Sequence, residues 1–250
     1  MVTRAIVRPP SRSYCSCISS HPEHNKLDLN IASEQHRNYV EALIQLGIDV
    51  IEIPPLDDYP DACFVEDTAV IHGNKALIAR PTPVSRQGEV HSIEQILQDY
   101  FEIERVKHPA TLEGGDVIHT ENCLISGVTQ RTSHSGVQQM REALKVQVLE
   151  VENPDIVHLK SYVTYLGEGV VIGGNMFSDH PEFQDFVFLK IPDSELYASN
   201  TLTINGTVII PHGYPETQNV LREAGYDVLQ LHTTEFARCE GALTCLSIIF

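Results

Sequence analysis

The sequence is poor in basic residues. Its 250 residues include 17 Lys and Arg against 34 Asp and Glu, which gives a formal net charge of −17. A protein that binds a phosphate backbone needs the opposite balance, and an anionic membrane surface disfavours a chain of this charge. The composition therefore predicts neither a nucleic-acid nor a membrane partner. It fits either a soluble protein or one that attracts a cationic ligand.

Long apolar runs and paired cysteine motifs are also missing. No window holds the roughly 18 consecutive apolar residues of a membrane-spanning helix. The N-terminal segment carries Arg4, Arg8 and Arg12 without the apolar stretch of a signal peptide. The six cysteines form no CxxC pair and no spacing typical of small disulfide-rich domains. We therefore expect a cytoplasmic protein with free thiols, one of which is available as a nucleophile.

The sequence does contain a repeated pattern of an apolar strand, a tight turn and a second apolar strand. The pattern occurs five times, at intervals of roughly 41 to 49 residues, and such a period is typical of repeat arrays and closed rings. The last copy ends the chain in mid-pattern, so the N-terminal strand Ala5-Ile6-Val7 is expected to supply its partner. The five segments are residues 63–80, 112–128, 158–173, 199–211 and 241–250.

Helical patterns lie in several of the gaps between these repeats. Ser33 and Ser92 are expected to cap two helices, because serine is a favoured N-cap residue and apolar positions with helical spacing follow each of them. Pro215 is expected in the first turn of a third helix. A further helix is expected near residues 137–144.

Five strand-pair-plus-helix units predict an α/β propeller of five ββαβ blades with pseudo-fivefold symmetry. The N- and C-terminal strands would close the ring, which removes exposed sheet edges, and residues 1–250 would form one catalytic domain. The alternative is an open α/β sandwich in which the regular spacing is a coincidence.

Three residues of different repeats could form a nucleophilic set. Cys245 lies in the C-terminal apolar strand, His158 opens the third repeat and Glu113 opens the second. A cysteine in an apolar strand is usually a small buried side chain. In a ring, however, equivalent strands converge on the axis, so these residues would meet as nucleophile, base and orienting carboxylate.

Acidic and basic residues of the first two repeats are candidates for ligand binding. Glu66 and Asp67 follow an apolar run, where a carboxylate is costly to bury unless it meets a cation. Asp61 lies in a turn-like Tyr-Pro-Asp context and could be an ordinary turn residue. Arg86 and Arg131 follow successive repeats; each is either a solvated loop residue or one arm of a carboxylate-binding pair.

Several of these pieces, taken in order, resemble the dimethylarginine dimethylaminohydrolase family of the guanidino-group-modifying superfamily. The resemblance runs across nearly the whole chain and includes Ser85-Arg86 and Gln130-Arg131-Thr132. Its longer motifs are Tyr59-Pro60-Asp61, Phe64-Val65-Glu66-Asp67, Leu112-Glu113-Gly114-Gly115-Asp116, His158-Leu159-Lys160, Pro181-Glu182-Phe183-Gln184-Asp185-Phe186 and Leu243-Thr244-Cys245-Leu246-Ser247.

This resemblance implies the five-bladed pentein-type propeller and hydrolysis of methylated arginines to citrulline and a methylamine. It implies Cys245 as nucleophile, His158 as general acid and base, and Glu113 as its orienting carboxylate. Residues 17–21 resemble a mobile loop that closes over the substrate. The substrate-binding residues that it implies are Ile18 near the tip of this loop, Phe64, Asp61, Glu66 and Asp67 for the guanidinium, and Arg86 and Arg131 for the α-carboxylate.

The resemblance implies no metal and no organic cofactor. The segment His21-Pro22-Glu23-His24 is discounted as a zinc motif, because Pro22 disrupts a helical presentation. The expected partner is the small-molecule substrate, and a homodimer remains open. Two other functions also remain open: an arginine or agmatine deiminase that releases ammonia, and a silent relative that only binds methylarginine.

Overall fold

The computed structural model describes residues 2–250, and its strands form five separate three-stranded sheets. The strands, in chain order, are β1 (Arg4–Val7), β2 (Asp49–Glu52), β3 (Ala69–His72), β4 (Lys75–Ile78), β5 (Glu102–Arg105), β6 (Val117–His119), β7 (Leu124–Val128), β8 (Val148–Glu152), β9 (Val163–Gly167), β10 (Val170–Gly173), β11 (Val187–Lys190), β12 (Leu202–Ile204), β13 (Thr207–Pro211), β14 (Asp227–Leu231) and β15 (Ser247–Ile249).

Four of the five sheets are built by the same connections. The first two strands of each of these form an antiparallel hairpin, as β3 and β4 do, and the third strand lies parallel to the second, as β5 does to β4. Strands β6–β8, β9–β11 and β12–β14 repeat this arrangement. A parallel pair needs a crossover connection, and this requirement gives each blade its ββαβ order. The predicted hairpins are confirmed at all four complete repeats.

The fifth sheet joins the two ends of the chain. Strand β1 pairs antiparallel with β15, with Ala5 opposite Ile249, and parallel with β2, with Arg4 opposite Asp49. The N-terminal strand therefore completes the fifth repeat, as the sequence predicted. The fold is a five-bladed α/β propeller, and the open sandwich is wrong.

Four of the five crossovers contain an α-helix. The blade of β9–β11 uses two short 3₁₀ turns instead, and the fifth helix lies between β14 and β15. The expected helices at Pro215 and near residues 137–144 are confirmed. The helices are α1 (Leu29–Gln45), α2 (Val90–Leu97), α3 (His134–Leu144), α4 (Pro215–Glu223) and α5 (Thr234–Arg238).

Two predicted helix starts are wrong. Asp28 caps α1 by accepting hydrogen bonds from the backbone N–H groups of Asn30 and Ile31, and Ser33 lies inside the helix with its hydroxyl donating to the carbonyl of Leu29. Ser92 is likewise the third residue of α2. The apolar pattern marks only the buried face of a helix, so it begins after the solvent-facing first turn.

The apolar core is divided among the blades rather than gathered into one centre. The buried apolar residues form five clusters, and each cluster combines residues from neighbouring blades. The axis of the ring is therefore left to shorter and more polar segments. Within residues 2–250, no helix combines the length and the apolar character needed to cross a membrane.

Candidate active site

A 3₁₀ turn precedes the first strand of every hairpin and lies near the axis of the ring. Neighbouring turns contact one another around most of this circle. Polar residues at equivalent places of different repeats are thereby brought together, as the repeat argument required. The turns are Val65–Thr68 before β3, Gly114–Asp116 before β6, Leu159–Ser161 before β9, Asp193–Ser199 before β12 and Thr244–Leu246 before β15.

Glu113 and His158 form a hydrogen-bonded pair at the entrances of two adjacent turns. The distance from His158 Nε2 to Glu113 Oε2 is 2.8 Å, and the carboxylate of Glu113 is fully buried. The other oxygen of Glu113 accepts a 2.9 Å hydrogen bond from the backbone N–H of Thr82. The orientation of the carboxylate is therefore fixed before it meets the imidazole. The sequence-predicted base and its orienting acid are in contact.

Asp67 faces the same imidazole from the first blade. Its Oδ1 lies 3.7 Å from His158 Nε2 and accepts a 2.9 Å hydrogen bond from the backbone N–H of Gly115. Burial alone would lower the pKa of His158, but the negative charges of Asp67, Glu113 and Asp116 raise it to about 9. Burial alone would raise the pKa of Asp67, but the positive charges of His158 and Arg86 hold it at about 2. The site therefore keeps an imidazolium beside the ionised carboxylate of Asp67 at neutral pH.

Cys245 lies in the fifth turn rather than in the apolar strand expected there, and this turn contacts the turn that carries Glu66 and Asp67. Its backbone N–H donates a 3.2 Å hydrogen bond to the carbonyl of Ala242, which shapes the turn. Burial raises the pKa of the Cys245 thiol, and the charges of Glu66 and Asp67 raise it further, whereas Lys160 acts in the opposite direction. The side chain is a neutral thiol in the ligand-free protein. A cation placed against the two carboxylates would favour the thiolate.

Glu66 is held from two sides by groups that sequence reasoning did not assign to the site. Lys160 donates to its Oε1, and the hydroxyl of Thr244 donates to its Oε2 over 2.7 Å. Asn200 in turn bonds both the backbone and the hydroxyl of Thr244. Thr244 is adjacent to Cys245 and Lys160 lies two residues after His158, and this closeness in sequence was the available signal. These contacts join the third, fourth and fifth blades to Glu66.

The two arginines differ sharply in their surroundings. Arg86 is buried, and its guanidinium donates to Glu89, to Asp67 over 2.8 Å and to the carbonyl of Phe64. The donors of Arg86 are therefore used by buried acceptors in the ligand-free protein, and its role at the α-carboxylate stays a prediction. Arg131 is half-open, and its Nη1 lies 3.5 Å from Glu113 Oε1. Within residues 2–250, Glu113 is the one acceptor near the Arg131 guanidinium, so the other N–H groups of Arg131 can donate to a ligand.

Asp61 lies beneath the segment of residues 17–21. Both oxygens of its buried carboxylate accept from the backbone N–H of Ile18, at 3.1 and 3.3 Å. The Ile18 side chain is 43% exposed, so the tip of this segment faces outward while its backbone is anchored. We call residues 17–21 the lid. The structure connects two predicted site residues, Asp61 and Ile18, directly to each other.

The lid is also bound to the segment that leads to Cys245. One of these bonds is a disulfide, so the expectation of six free thiols is wrong. Cys17 and Cys239 form a disulfide, while the other four cysteines are free. The hydroxyl of Ser19 donates to the carbonyl of Arg238, and Ser20 bonds the carboxylate of Glu240 through its N–H and its hydroxyl. A link between residues 222 positions apart leaves no local pattern in a sequence.

Phe64 shapes the wall of the site through its packing. Its ring lies edge-on to Tyr14 and Phe236, with centroids 6.4 and 6.3 Å away. A Cβ at position 241 would lie 2.2 Å from this ring. Gly241 is thus required for Phe64 to approach the segment before Cys245.

Asp116 is a further buried acid, and the sequence motif that contains it assigned it no role. Its carboxylate accepts 2.9 Å hydrogen bonds from the backbone N–H of Leu159 and from the hydroxyl of Thr129. It therefore anchors the chain one residue after His158. Burial raises the pKa of Asp116 to about 6, although the charge of His158 opposes the effect.

Two groups of side chains within residues 2–250 bring three metal-type ligand atoms within 4.8 Å of one another. One is Asp67, Glu113 and His158, where the hydrogen bond between His158 and Glu113 already occupies a nitrogen. The other is the disulfide pair Cys17 and Cys239 with His24, whose sulfurs are bonded to each other. In both groups potential ligand atoms are already bonded to each other, by a hydrogen bond in the first and by a disulfide in the second.

Comparison with known proteins gives consistent matches over the chain. The family model described as N,N dimethylarginine dimethylhydrolase, eukaryotic, matches residues 18–178. The N(G),N(G)-dimethylarginine dimethylaminohydrolase of Pseudomonas aeruginosa is 34% identical over 100% of both chains. Two solved structures each cover 100% of both chains at 33% identity with a TM-score of 0.97: a dimethylarginine dimethylaminohydrolase adduct with S-methyl-L-thiocitrulline, and the Pseudomonas aeruginosa enzyme complexed with citrulline.

Proposed function

The chain belongs to the dimethylarginine dimethylaminohydrolase family, and on this premise we propose that it hydrolyses Nω-methylated arginines. Asymmetric dimethylarginine and monomethylarginine are converted to citrulline and to dimethylamine or monomethylamine. The observation that carries the proposal is the hydrogen-bonded pair of His158 and Glu113, which faces Asp67 at the axis of the ring. An imidazolium, ionised carboxylates and the Cys245 thiol are the groups that this reaction uses.

Substrate binding follows from the charges around the site. Asp67 and Glu66 pair with the nitrogens of the guanidinium and fix its plane, while the ring of Phe64 supports this wall. Arg131 holds the α-carboxylate with its two-pronged guanidinium. Arg86 orders Asp67 from behind and keeps it ionised. Asp61 and Ile18 hold the lid over the bound amino acid.

In the first half of the reaction, Cys245 attacks the central carbon of the guanidinium. The substrate cation offsets the carboxylate charges that raise the pKa of the thiol, so the thiolate forms once the substrate is bound. The thiol proton passes to water, and the thiol re-forms with a proton from water after citrulline has left. The imidazolium of His158 donates its proton to the departing methylamine. An amidino-thioether remains on Cys245. A general acid of this kind contributes about 10²–10⁴-fold to the rate.

In the second half, neutral His158 takes a proton from a water molecule. The water attacks the same carbon, the bond to the Cys245 sulfur breaks, and citrulline leaves. The thiolate and the imidazolium are restored, so one water is consumed per amine released. Glu113 keeps the imidazole in one orientation through both steps, since its own position is fixed by Thr82.

A comparison of three substrates tests this function. Purified protein is incubated with arginine, monomethylarginine and asymmetric dimethylarginine, and citrulline, ammonia and dimethylamine are quantified. Equimolar citrulline and dimethylamine are expected, and they must disappear in Cys245→Ser but persist in Cys123→Ser, which alters a free cysteine of another blade. Ammonia from arginine as the main product would identify a deiminase instead. Binding of methylarginine without any turnover would identify a silent relative.

The whole chain acts as one catalytic unit in this proposal, because the residues that it uses come from different blades of the ring. The cytoplasm is the proposed location, and a homodimer is the proposed assembly to be tested by light scattering. No metal and no organic cofactor enters any of the steps above.

A further inference from the structure

The disulfide of Cys17 and Cys239 lies outside the proposed chemistry, yet it joins two segments that the chemistry depends on. The two Cα atoms are 6.0 Å apart, a separation typical of disulfide-bonded residues. Both residues are almost completely buried, at 4% and 3% exposure. His24 lies beside the bond, with its Nε2 3.5 Å from the sulfur of Cys17.

Each cysteine is attached to a functional segment. Cys17 is the first residue of the lid and directly precedes Ile18, whose backbone is held by Asp61. Cys239 follows α5 and begins the short segment through Gly241 to the turn that contains Cys245. The disulfide is the only covalent link between these two segments, within residues 2–250, besides the long path of the main chain.

The remaining contacts between the lid and the rest of the protein are hydrogen bonds. Ile18 bonds Asp61, Ser19 bonds the carbonyl of Arg238, and Ser20 bonds Glu240. Such bonds exchange readily with water, whereas a covalent link does not open on the timescale of turnover. In the proposed function the lid covers the bound substrate, so the state of this bond is expected to change the rates of substrate entry and product release.

We propose that Cys17 and Cys239 are a thiol–disulfide exchange site that controls the opening of the lid. In the oxidised form the lid is tied to the segment before Cys245 and opens rarely. In the reduced form only hydrogen bonds hold it, and substrate entry and product release are faster. The proposal uses the proposed function for its kinetic readout only.

The exchange partner is a dithiol reductant. Its thiolate attacks the sulfur of Cys239, the bond between Cys239 and Cys17 breaks, and Cys17 leaves as a thiolate that takes a proton from water. The second thiol of the reductant then attacks the mixed disulfide and releases Cys239. The reductant is oxidised to its disulfide, and the two protein thiols gain two electrons and two protons. A low-molecular-weight disulfide reverses the reaction.

Peptide mapping and kinetics test the proposal on the full chain. Protein purified without reductant is alkylated, digested and examined for a linked peptide of Cys17 and Cys239, with dithiothreitol as the reducing probe. Reduction is expected to raise kcat several-fold in the wild type and in Cys15→Ser, an exposed free cysteine two residues away. Cys17→Ser and Cys239→Ser are expected to show the higher kcat both with and without dithiothreitol.

Three results would overturn it. The linked peptide could be absent from unreduced protein. Reduction could change Cys17→Ser as much as the wild type, which would place the effect at Cys245. Reduction could leave kcat unchanged while the protein loses stability, which would make the disulfide purely structural. Hydrogen exchange at the lid amides, expected to accelerate several-fold on reduction, reports the same event without turnover and so separates this proposal from the proposed function.

Discussion

Replacement of Glu113 by glutamine tests whether a buried carboxylate sets the proton affinity of His158. Burial lowers the pKa of His158, but the charges of Asp67, Glu113 and Asp116 outweigh this effect and raise it to about 9. The Glu113→Gln variant keeps the volume of a fully buried side chain and removes its charge. We therefore expect the pKa of His158 to fall, because its protonated form loses the partner at 2.8 Å.

The size of the effect follows from the proton equilibrium. One pKa unit corresponds to about 1.4 kcal/mol. An imidazole with a pKa of about 9 is about half protonated near pH 9, whereas a pKa one unit lower leaves about a tenth protonated. Since a general acid acts only when protonated, kcat/KM near pH 9 should fall about fivefold from this cause. A further loss at every pH follows because the amide nitrogen of the variant must face either His158 or the N–H of Thr82.

The assay is citrulline formation from asymmetric dimethylarginine as a function of pH. In the wild type the alkaline limb of kcat/KM should lie near the pKa of His158, about 9, and in Glu113→Gln it should move to lower pH. Glu150→Gln is the matched control, because Glu150 accepts a hydrogen bond from another histidine, His134, at the protein surface. An alkaline limb that stays in place while the plateau falls would refute the reasoning and limit Glu113 to a steric role.

Two further predictions separate binding from structure at the same site. Arg131→Ala should raise KM for the amino acid substrate by about tenfold or more, with kcat less affected. Arg86→Ala should instead lower the free energy of unfolding by about 3–5 kcal/mol in urea titrations, because it leaves buried carboxylates unpaired. Similar behaviour of the two variants would contradict the assignment. Gly115→Ala should lower kcat on the order of 10²-fold in a folded protein, since its Cβ would lie 2.8 Å from both Asp67 Oδ1 and His158 Nδ1, and a normal kcat would show that the pair tolerates displacement.

The architecture was predictable because its signals are local. The hairpin turn at Asn205 and Gly206 has positive φ at both residues, as the Asn-Gly dipeptide indicated. Four strand-turn-strand units in regular order, followed by a fifth that lacks a strand, predict that the N-terminal strand closes the ring. The start of α1 was misjudged because Asp28 precedes the apolar pattern by a full turn.

The site was predictable only in part, because its residues act in pairs that lie far apart in the chain. His158 and Glu113 were predicted because each opens a repeat and has a side chain suited to acid–base catalysis. The partner of Glu66, Lys160, is 94 residues away, and nothing near Glu66 indicates it. The ion pairs of Arg86 were not predictable for a similar reason, because Asp67 contacts its guanidinium only in the folded protein.

The proton positions in the free site set the order of events. His158 is already protonated at neutral pH, so it cannot accept the proton of the Cys245 thiol. The two carboxylates that raise the pKa of that thiol, Glu66 and Asp67, are also the groups that a guanidinium would neutralise. Thiolate formation therefore follows substrate binding. The same order keeps the resting nucleophile in its less reactive form.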